Sequence, residues 1–331
     1  MGGFDELSDR AWLVPCAILT ALLGLAAVTM MVVLGYTRPP DPLLSLRSWL
    51  LWTIFATGGA GIFMTLRLMF RGEEHPITVL RDDLSRNRRR YSACLVGMAL
   101  AGLVIYFFMI VKPQLDVVSP FWADSALADL DHLIFGVDPW RLFVGWDLKL
   151  MAAVYGPFWF ISMLLSVFWA LSRPPSRTKA AILISYFAVW SVFGPIGQAV
   201  GSSAGPIFYE RVGLGDRFSE LPVPALTKFT ADYLWTQFEQ RSLAPGAGIS
   251  AMPSLHIASM AWMVIAFGAY RSLWAIPALV LTLYIYVGSI ALGWHYATDG
   301  VVGALGALAC FHASKLYLRE IPARQPITVS A

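Results

Sequence analysis

Two short stretches near the end of the chain carry histidine beside other polar residues: PSLH at 253–256 and HYATD at 295–299. If the second stretch opens a helix, His295 and Asp299 lie on one face, a turn apart, so their side chains can meet. A carboxylate that accepts the Nδ1 proton of an imidazole fixes its tautomer and leaves Nε2 free as a nucleophile. The spacing predicts a nucleophilic His295 oriented by Asp299; the alternative for Asp299 is a structural helix cap.

His256 falls at the predicted start of another helix, after Pro253 and Ser254. Proline suits the first turn of a helix because its missing N–H would be unpaired there. The free N–H groups of that turn, together with the helix dipole, favour a bound anion such as phosphate. We expect Ser254 and Leu255 to bind this phosphate. His295 would attack phosphorus while His256 protonates the departing oxygen, which requires no metal or other cofactor.

The remaining histidines do not fit the same site. His75 lies in a strongly basic connection, and His312 lies about 25 Å from His295 along the predicted last helix. His132 falls in a long loop, where a solvated or interfacial histidine is ordinary. His256 or His295 alone would also fit a structural role at a membrane interface. Their occurrence on the same side, beside an acidic residue, favours catalysis.

The chain that positions these residues is strongly apolar. Of its 331 residues, 57% are hydrophobic and only 14% are charged, and the mean hydropathy is +0.63. Such values are typical of a protein that crosses a membrane several times. The formal net charge is only +3, and the basic residues stand between apolar runs, so no nucleic-acid partner is expected.

Eight apolar runs approach the roughly 20 residues that a helix needs to cross a bilayer. We therefore predict an all-α fold, a polytopic membrane helical bundle with about eight transmembrane helices. The runs cover residues 11–36, 48–70, 91–111, 151–171, 180–200, 255–270, 274–293 and 297–317.

Basic residues predict the orientation of these helices. The connection at 71–90 contains six arginines, and the connection at 172–179 contains three further basic residues. Both should face the cytoplasm. The long loops at 112–150 and 201–254 then lie outside, and we expect an interfacial helix in the first of them. The expected location is a bacterial plasma membrane with an extracytoplasmic site; a lumen-facing site in an organelle is the alternative.

No internal repeat or linker divides the chain. We expect a two-span N-terminal extension with its basic cytoplasmic loop at 1–90, a six-span catalytic core at 91–318 and a cytoplasmic tail at 319–331. The residues before the first run include three acids and one arginine, unlike the basic start of a cleaved signal peptide, so the first span should remain in place.

The two histidine motifs resemble those of the type 2 phosphatidic acid phosphatase superfamily, which shares a helical core with vanadium haloperoxidases. PSLH is similar to the second family motif, commonly Pro-Ser-Gly-His, and HYATD is similar to the His-x-x-x-Asp of the third. The resemblance implies a six-helix phosphatase-like core and a phosphohistidine on His295, with Asp299 as orienting group and His256 as acid.

Other features resemble one branch of that superfamily, the inositol phosphorylceramide synthases, which move a phosphoryl headgroup between lipids. These features are Leu255 in place of the usual glycine, the tyrosine of HYATD, and the segments DHLIFGVDP and SSAGPIFY. Sphingomyelin synthases are more distant. The resemblance implies a membrane lipid substrate and a lipid acceptor as partners.

The superfamily binds phosphate with cationic residues that this sequence does not repeat. The third motif usually begins Ser-Arg, where this chain has Gly288 and Ser289, and no Lys-x-x-x-x-x-x-Arg-Pro first motif occurs upstream. Phosphoryl transfer without cationic donors would forgo its largest electrostatic stabilisation. We expect Arg211 to supply it, although an arginine in solvent or at lipid headgroups fits that position equally well. The other external candidates are Arg141, Lys149, Arg217, Lys228 and Arg241.

Two other function classes compete with a lipid phosphatase or phosphotransferase. A transporter or scaffold without catalysis would place ionisable groups near the membrane midplane or break its helices in matched halves, and the sequence has neither pattern. A haloperoxidase-like vanadate site would need the missing arginine and lysine. A membrane enzyme that acts on lipid phosphoesters is the leading hypothesis.

Overall fold

The computed structural model describes residues 8–321, and this part of the chain consists of helices and connections without a β-strand. The first acidic residues and most of the predicted tail at 319–331 lie outside the described residues. The helices are α1 Arg10–Val33, α2 Pro42–Phe70, α3 Pro76–Arg86, α4 Arg88–Val118, α5 Asp124–Phe135, α6 Lys149–Ser172, α7 Arg177–Ala188, α8 Gly194–Val200, α9 Ala225–Glu239, α10 Leu255–Ala269, α11 Ala275–Ala291 and α12 Ala297–Arg319.

Six helices are long and apolar enough to cross a membrane: α1, α2, α4, α6, α12, and the continuous helix that α7 and α8 form with the π-helical turn between them. The sixth and seventh predicted spans correspond to α10 and α11, which are shorter, with 15 and 17 residues. A helix of 15 residues reaches about 22 Å, less than a hydrocarbon core of about 30 Å. The predicted all-α membrane bundle is confirmed.

The PSLH turn sets the residue at which the short helix α10 begins. Ser254 is its N-cap, and the side-chain Oγ accepts the N–H of Ile257 at 3.4 Å. Such a cap satisfies one of the N–H groups that the first turn leaves unpaired. Ser254 is fully buried, so the first turn of α10, with His256, lies inside the protein.

The central contact of the bundle joins α12 to α10 and α7. At Gly303 of α12, a Cβ atom would collide with the carbonyl oxygen of Ser254. Glycine permits this close approach of two helix backbones. The two segments that carry the histidine motifs are therefore held directly against each other.

The N-terminal helices pack along the side of the bundle. α1 lies against α4 and α7, and the Nζ atom of Lys179 is 2.9 Å from Oδ1 of Asp9. α2 contacts α4 and α6 but buries only Trp49. The division of the chain at residue 90 stays a prediction.

Two further helices cover the end of the bundle that holds the histidine motifs. α5 lies in the loop between α4 and α6, as the sequence predicts, and contacts the start of α12. α9 lies in the loop between α8 and α10 and contacts α6. The position of α5 at a lipid surface stays a prediction.

Candidate active site

His295 lies in the connection between α11 and α12, immediately before Tyr296, the N-cap of α12. Its Nδ1 atom is 2.8 Å from the carbonyl oxygen of Ala251 and 3.6 Å from Oδ2 of Asp299. A carbonyl oxygen can only accept, so neutral His295 carries its proton on Nδ1 and a lone pair on Nε2. This is the tautomer that a nucleophilic histidine requires.

The expected relation between His295 and Asp299 is wrong in one respect. Because α12 begins at Ala297, His295 precedes the helix, and the two residues do not share a helical face. Oδ2 of Asp299 instead accepts the backbone N–H of Tyr296 at 2.8 Å, and no described residue binds the buried Oδ1 atom. Asp299 therefore caps α12 and also lies close to the imidazole of His295.

His256 occupies the first turn of α10 and is surrounded by aromatic rings. Its ring centroid is 4.4 Å from that of Trp159, 5.3 Å from that of Tyr155 and 5.9 Å from that of His295. The indole of Trp159 donates to Oγ of Ser259 at 2.8 Å, which fixes the indole beside the histidine. The two histidines are thus brought together in a largely apolar setting.

Both histidines line one cavity of about 370 Å³. α6 contributes small residues to its wall, α9 contributes the two threonines Thr227 and Thr230, and α4 contributes Lys112. The cavity is therefore polar beside the histidines and apolar along the membrane-crossing α6. Its other lining residues are Ala152, Ala153, Tyr155, Gly156, Pro157, Ala204, Phe208, Leu226, Leu234, Gly248, Ile249, Ser250 and Trp294.

Lys112 is the one lysine or arginine among the described residues that line the cavity. The predicted third span stops one residue before it, but α4 continues for more than another turn. Lys112 lines the same cavity as His256, and Asp116 follows Lys112 by one turn of α4. A sequence signal exists: Lys112 stands before Ser119 and Pro120 at the spacing of the Lys-x-x-x-x-x-x-Arg-Pro motif, with serine in place of arginine.

Asp116 joins this end of α4 to two other segments. Its Oδ1 accepts a hydrogen bond from Nε2 of Gln198 at 2.8 Å, and its Oδ2 accepts the N–H of Ile249 at 2.7 Å. The same glutamine amide donates to the carbonyl oxygen of Lys112 at 3.0 Å. These bonds hold Lys112 near the loop that leads into PSLH.

Ser254 and Leu255, two predicted phosphate-binding residues, are not among the described residues that line the cavity. The N–H of Ser254 donates to the carbonyl oxygen of Asp299 at 3.1 Å, and its Oγ caps α10. The side chain of Leu255 packs against α8 at Gly194. Both residues thereby stabilise the turn that carries His256.

Arg211, the third predicted phosphate-binding residue, lies outside the described lining of the cavity. Its guanidinium donates to the carboxylate of Asp232 on α9 and lies over the rings of Phe208 and Trp235. Because that ion pair and Lys228 stabilise the charged form, the pKa of the exposed Asp232 carboxyl is lowered. The guanidinium is therefore engaged by Asp232, outside the described lining of the cavity.

Two buried aspartates of α5, Asp124 and Asp131, bind the segment that carries His295. Burial raises the pKa of both carboxyl groups, and the backbone N–H groups that they accept oppose that shift. Their partners are more than 70 residues away in the chain, so no local sequence pattern reveals them.

Fold and site together define an integral membrane protein with paired histidines in a cavity at one end of a helical bundle. Residues 127–313, more than half of the chain, match the sequence model of the PAP2 superfamily. The chain belongs to the PAP2 superfamily. Membership supports a membrane phosphatase or phosphotransferase function. No curated protein and no solved structure matches the chain. Within residues 8–321, no group of three or more His, Cys, Asp or Glu side chains is arranged to hold a metal ion.

Proposed function

We propose that this protein transfers a phosphoryl group from a lipid phosphoester through a phosphohistidine on His295. The observation that carries the proposal is the hydrogen bond from Nδ1 of His295 to the carbonyl oxygen of Ala251 at 2.8 Å. It leaves Nε2 unprotonated, and His295 lines the same cavity as His256. With ring centroids 5.9 Å apart, the two imidazoles can reach one phosphoryl group from different sides.

In the first step, the Nε2 lone pair of His295 attacks phosphorus. A P–N bond forms, the P–O bond to the leaving group breaks, and protonated His256 gives its proton to the departing oxygen. His256 is then neutral and His295 carries the phosphoryl group. Asp299, with Oδ2 at 3.6 Å from Nδ1, stabilises the positive charge that develops on the ring of His295.

In the second step, neutral His256 accepts a proton from the acceptor hydroxyl as its oxygen attacks phosphorus. The P–N bond breaks, His295 regains its lone pair and His256 becomes protonated again. A water acceptor makes the enzyme a phosphatase, and a lipid alcohol makes it a transferase.

The charge of the cavity favours a phosphodiester as donor and therefore headgroup transfer. A phosphodiester carries one negative charge, whereas a phosphomonoester carries about 1.5 to 2 at pH 7. Lys112 supplies one cation to the described lining, and Asp116 lies a turn further along the same helix. Once His256 has given its proton to the leaving group, Lys112 is the one cation left in the described lining, and a single cation matches the monoanion better than the dianion. This distribution supports a donor phospholipid with an esterified headgroup.

The position of the cavity supports a lipid substrate and an extracytoplasmic site. Its apolar wall comes from α6, which is long enough to cross a membrane. Lys112 lies near the end of α4 that is opposite to Arg88, Arg89 and Arg90. Since arginine-rich connections face the cytoplasm, the cavity would open to the other side of the membrane.

The test uses purified protein in lipid-containing detergent with donors labelled on phosphorus. One donor is a phosphodiester lipid and the other is phosphatidic acid, each with and without ceramide or diacylglycerol as acceptor. The variant is His295→Ala, and the matched control is His312→Ala, which changes an exposed histidine at the far end of α12.

Transfer of label from the diester to the acceptor lipid, lost only in His295→Ala, is the expected result. Release of phosphate from phosphatidic acid instead would keep the histidine mechanism and overturn headgroup transfer. Equal rates in wild type and His295→Ala, or no reaction in either, would contradict the proposed function and favour a transporter or scaffold.

A further inference from the structure

The three residues after His295 donate their backbone N–H groups to carboxylates. Asp299 accepts the N–H of Tyr296 at 2.8 Å. The next two N–H groups, of Ala297 and Thr298, donate to Oδ2 and Oδ1 of Asp131 at 2.5 and 3.0 Å. These are the first two residues of α12, whose N–H groups have no partner within their own helix. An aspartate from another helix therefore completes the helix start beside His295.

A second carboxylate of α5 holds the same connection from its other side. The hydroxyl of Tyr296 donates to Oδ1 of Asp124 at 2.8 Å. Asp124 also accepts the N–H groups of Ala204 and Gly205, each at 2.8 Å. At Gly205 a Cβ would collide with the carbonyl oxygen of Trp294, the residue before His295. Asp124 thus binds both the segment at Ala204 and Gly205 and the residue after His295, and these two segments are in contact next to His295.

Both aspartates are shielded from water. The exposed fraction is 0% for Asp124 and 1% for Asp131, so their hydrogen bonds do not compete with solvent. In contrast, Asp129, on the same helix, has a carboxylate that is 76% exposed and pairs with Arg217 at 2.6 Å. The burial of two carboxylates would be costly without several N–H and O–H donors, and here the donors belong to the segments around the nucleophile.

We infer that α5 acts as a positioning element for His295, through Asp131 and, secondarily, Asp124. The inference rests on the proposed function. Attack on phosphorus requires the Nε2 atom within a few tenths of an ångström of its reactive place, and a displacement of about 1 Å can cost a hundredfold in rate. His295 itself is outside a helix, so its backbone is located by the bonds on either side of it. On the α12 side, Asp131 accepts two of the three bonds, and Asp299 accepts the third.

The first test compares Asp131→Asn with wild type and with Asp129→Asn as the matched control. The asparagine keeps the shape and one acceptor oxygen but replaces the other by a donor that repels an N–H. We expect kcat per folded molecule to fall about 10- to 100-fold, with KM for the donor lipid changed less than about twofold, because the cavity lining is untouched. Asp129→Asn should retain both constants.

A second variant separates positioning from folding. Tyr296→Phe removes only the hydroxyl that donates to Asp124 and leaves the other bonds of that carboxylate in place. We expect a smaller fall in kcat, about 3- to 10-fold. The rate at which labelled phosphoenzyme forms in a single turnover should fall in parallel with kcat in both variants. The monodisperse fraction gives the amount of folded protein in each variant, and the melting temperature gives its stability.

The outcomes distinguish the two proposals. If His295→Ala is inactive but Asp131→Asn and Tyr296→Phe keep wild-type kcat and wild-type phosphoenzyme formation, the positioning role is overturned and the proposed function stands. If the variants lose folded protein while kcat per folded molecule is unchanged, α5 has only a structural role and the inference is again overturned. If His295→Ala is as active as wild type, both proposals fall.

Discussion

His295 donates its Nδ1–H to the backbone carbonyl oxygen of Ala251 at 2.8 Å. Ala251 belongs to the loop that leads into PSLH, two residues before Pro253. The backbone around one histidine motif thus selects the tautomer of the histidine in the other. A carbonyl cannot lose this function by titration, since it carries no ionisable proton.

This bond predicts that loss of Asp299 is less severe than loss of His295. Asp299→Asn should keep the side chain as an acceptor for the N–H of Tyr296 and leave the tautomer to Ala251. In serine proteases, where an aspartate alone sets the tautomer, the corresponding change costs about 10⁴-fold; here we expect a fall of about 10²-fold in kcat. Steady-state rates on the labelled donor lipid check this. An Asp299→Asn enzyme as inactive as His295→Ala would contradict it.

The assignment of His256 as general acid predicts a dependence on the leaving group. His256→Gln should lower kcat about 10²- to 10⁴-fold for a donor that releases a lipid alcohol, because the alkoxide needs a proton. For a nitrophenyl phosphodiester, whose leaving group departs without protonation, the fall should be below about tenfold. The ratio of the two effects is the measurement. Equal losses on both substrates would assign His256 to binding instead.

The placement of the cations predicts a different ranking from the one expected from sequence. Lys112→Met removes the lysine that lines the cavity and should lower kcat/KM about 10²-fold. Arg211→Ala breaks an exposed ion pair with Asp232 and should change kcat/KM less than about threefold. Measurement of both variants with the same donor lipid decides between them. A larger loss in Arg211→Ala would restore the sequence-based assignment.

Close packing of α12 on α10 predicts a strong effect of one methyl group. Gly303→Ala places a Cβ against the carbonyl oxygen of Ser254, and we expect it to destabilise the protein by about 1–3 kcal/mol. Gly268→Ala in α10 is the matched control, because a Cβ there meets no atom within 4 Å. Thermal unfolding in detergent compares the two. A melting temperature of Gly303→Ala equal to that of the control would show that the helices can separate without cost.

Hydropathy and motif spacing predict much of this architecture. The eight apolar runs locate helices of the bundle, six of which are long and apolar enough to cross a membrane, because a helix in lipid must satisfy its own backbone and present apolar side chains. The bounds of α10 and α11 also lie within two residues of the apolar runs at 255–270 and 274–293. His256, His295 and Asp299 are found from two motifs.

The sequence ranks Arg211 above Lys112 because hydropathy does not show where a helix ends. The apolar run stops before Lys112, although α4 continues to Val118, so the lysine looked like a loop residue. Arg211 looked free because its partner, Asp232, stands 21 residues further along the chain. An ion pair between distant residues leaves no periodic pattern in the sequence.

By itself, the sequence determined the class of fold, the placement of both histidines at one end of the bundle, and the residue types capable of phosphoryl chemistry. These features depend on composition and local spacing. Only the tertiary structure decided the tautomer of His295, the lysine that lines the cavity and the carboxylates of α5 that bind the start of α12. Each of these depends on contacts between segments far apart in the chain: Ala251 with His295, Lys112 beside His256 in one cavity, and Asp131 with Ala297. Such contacts exist only when the helices are packed.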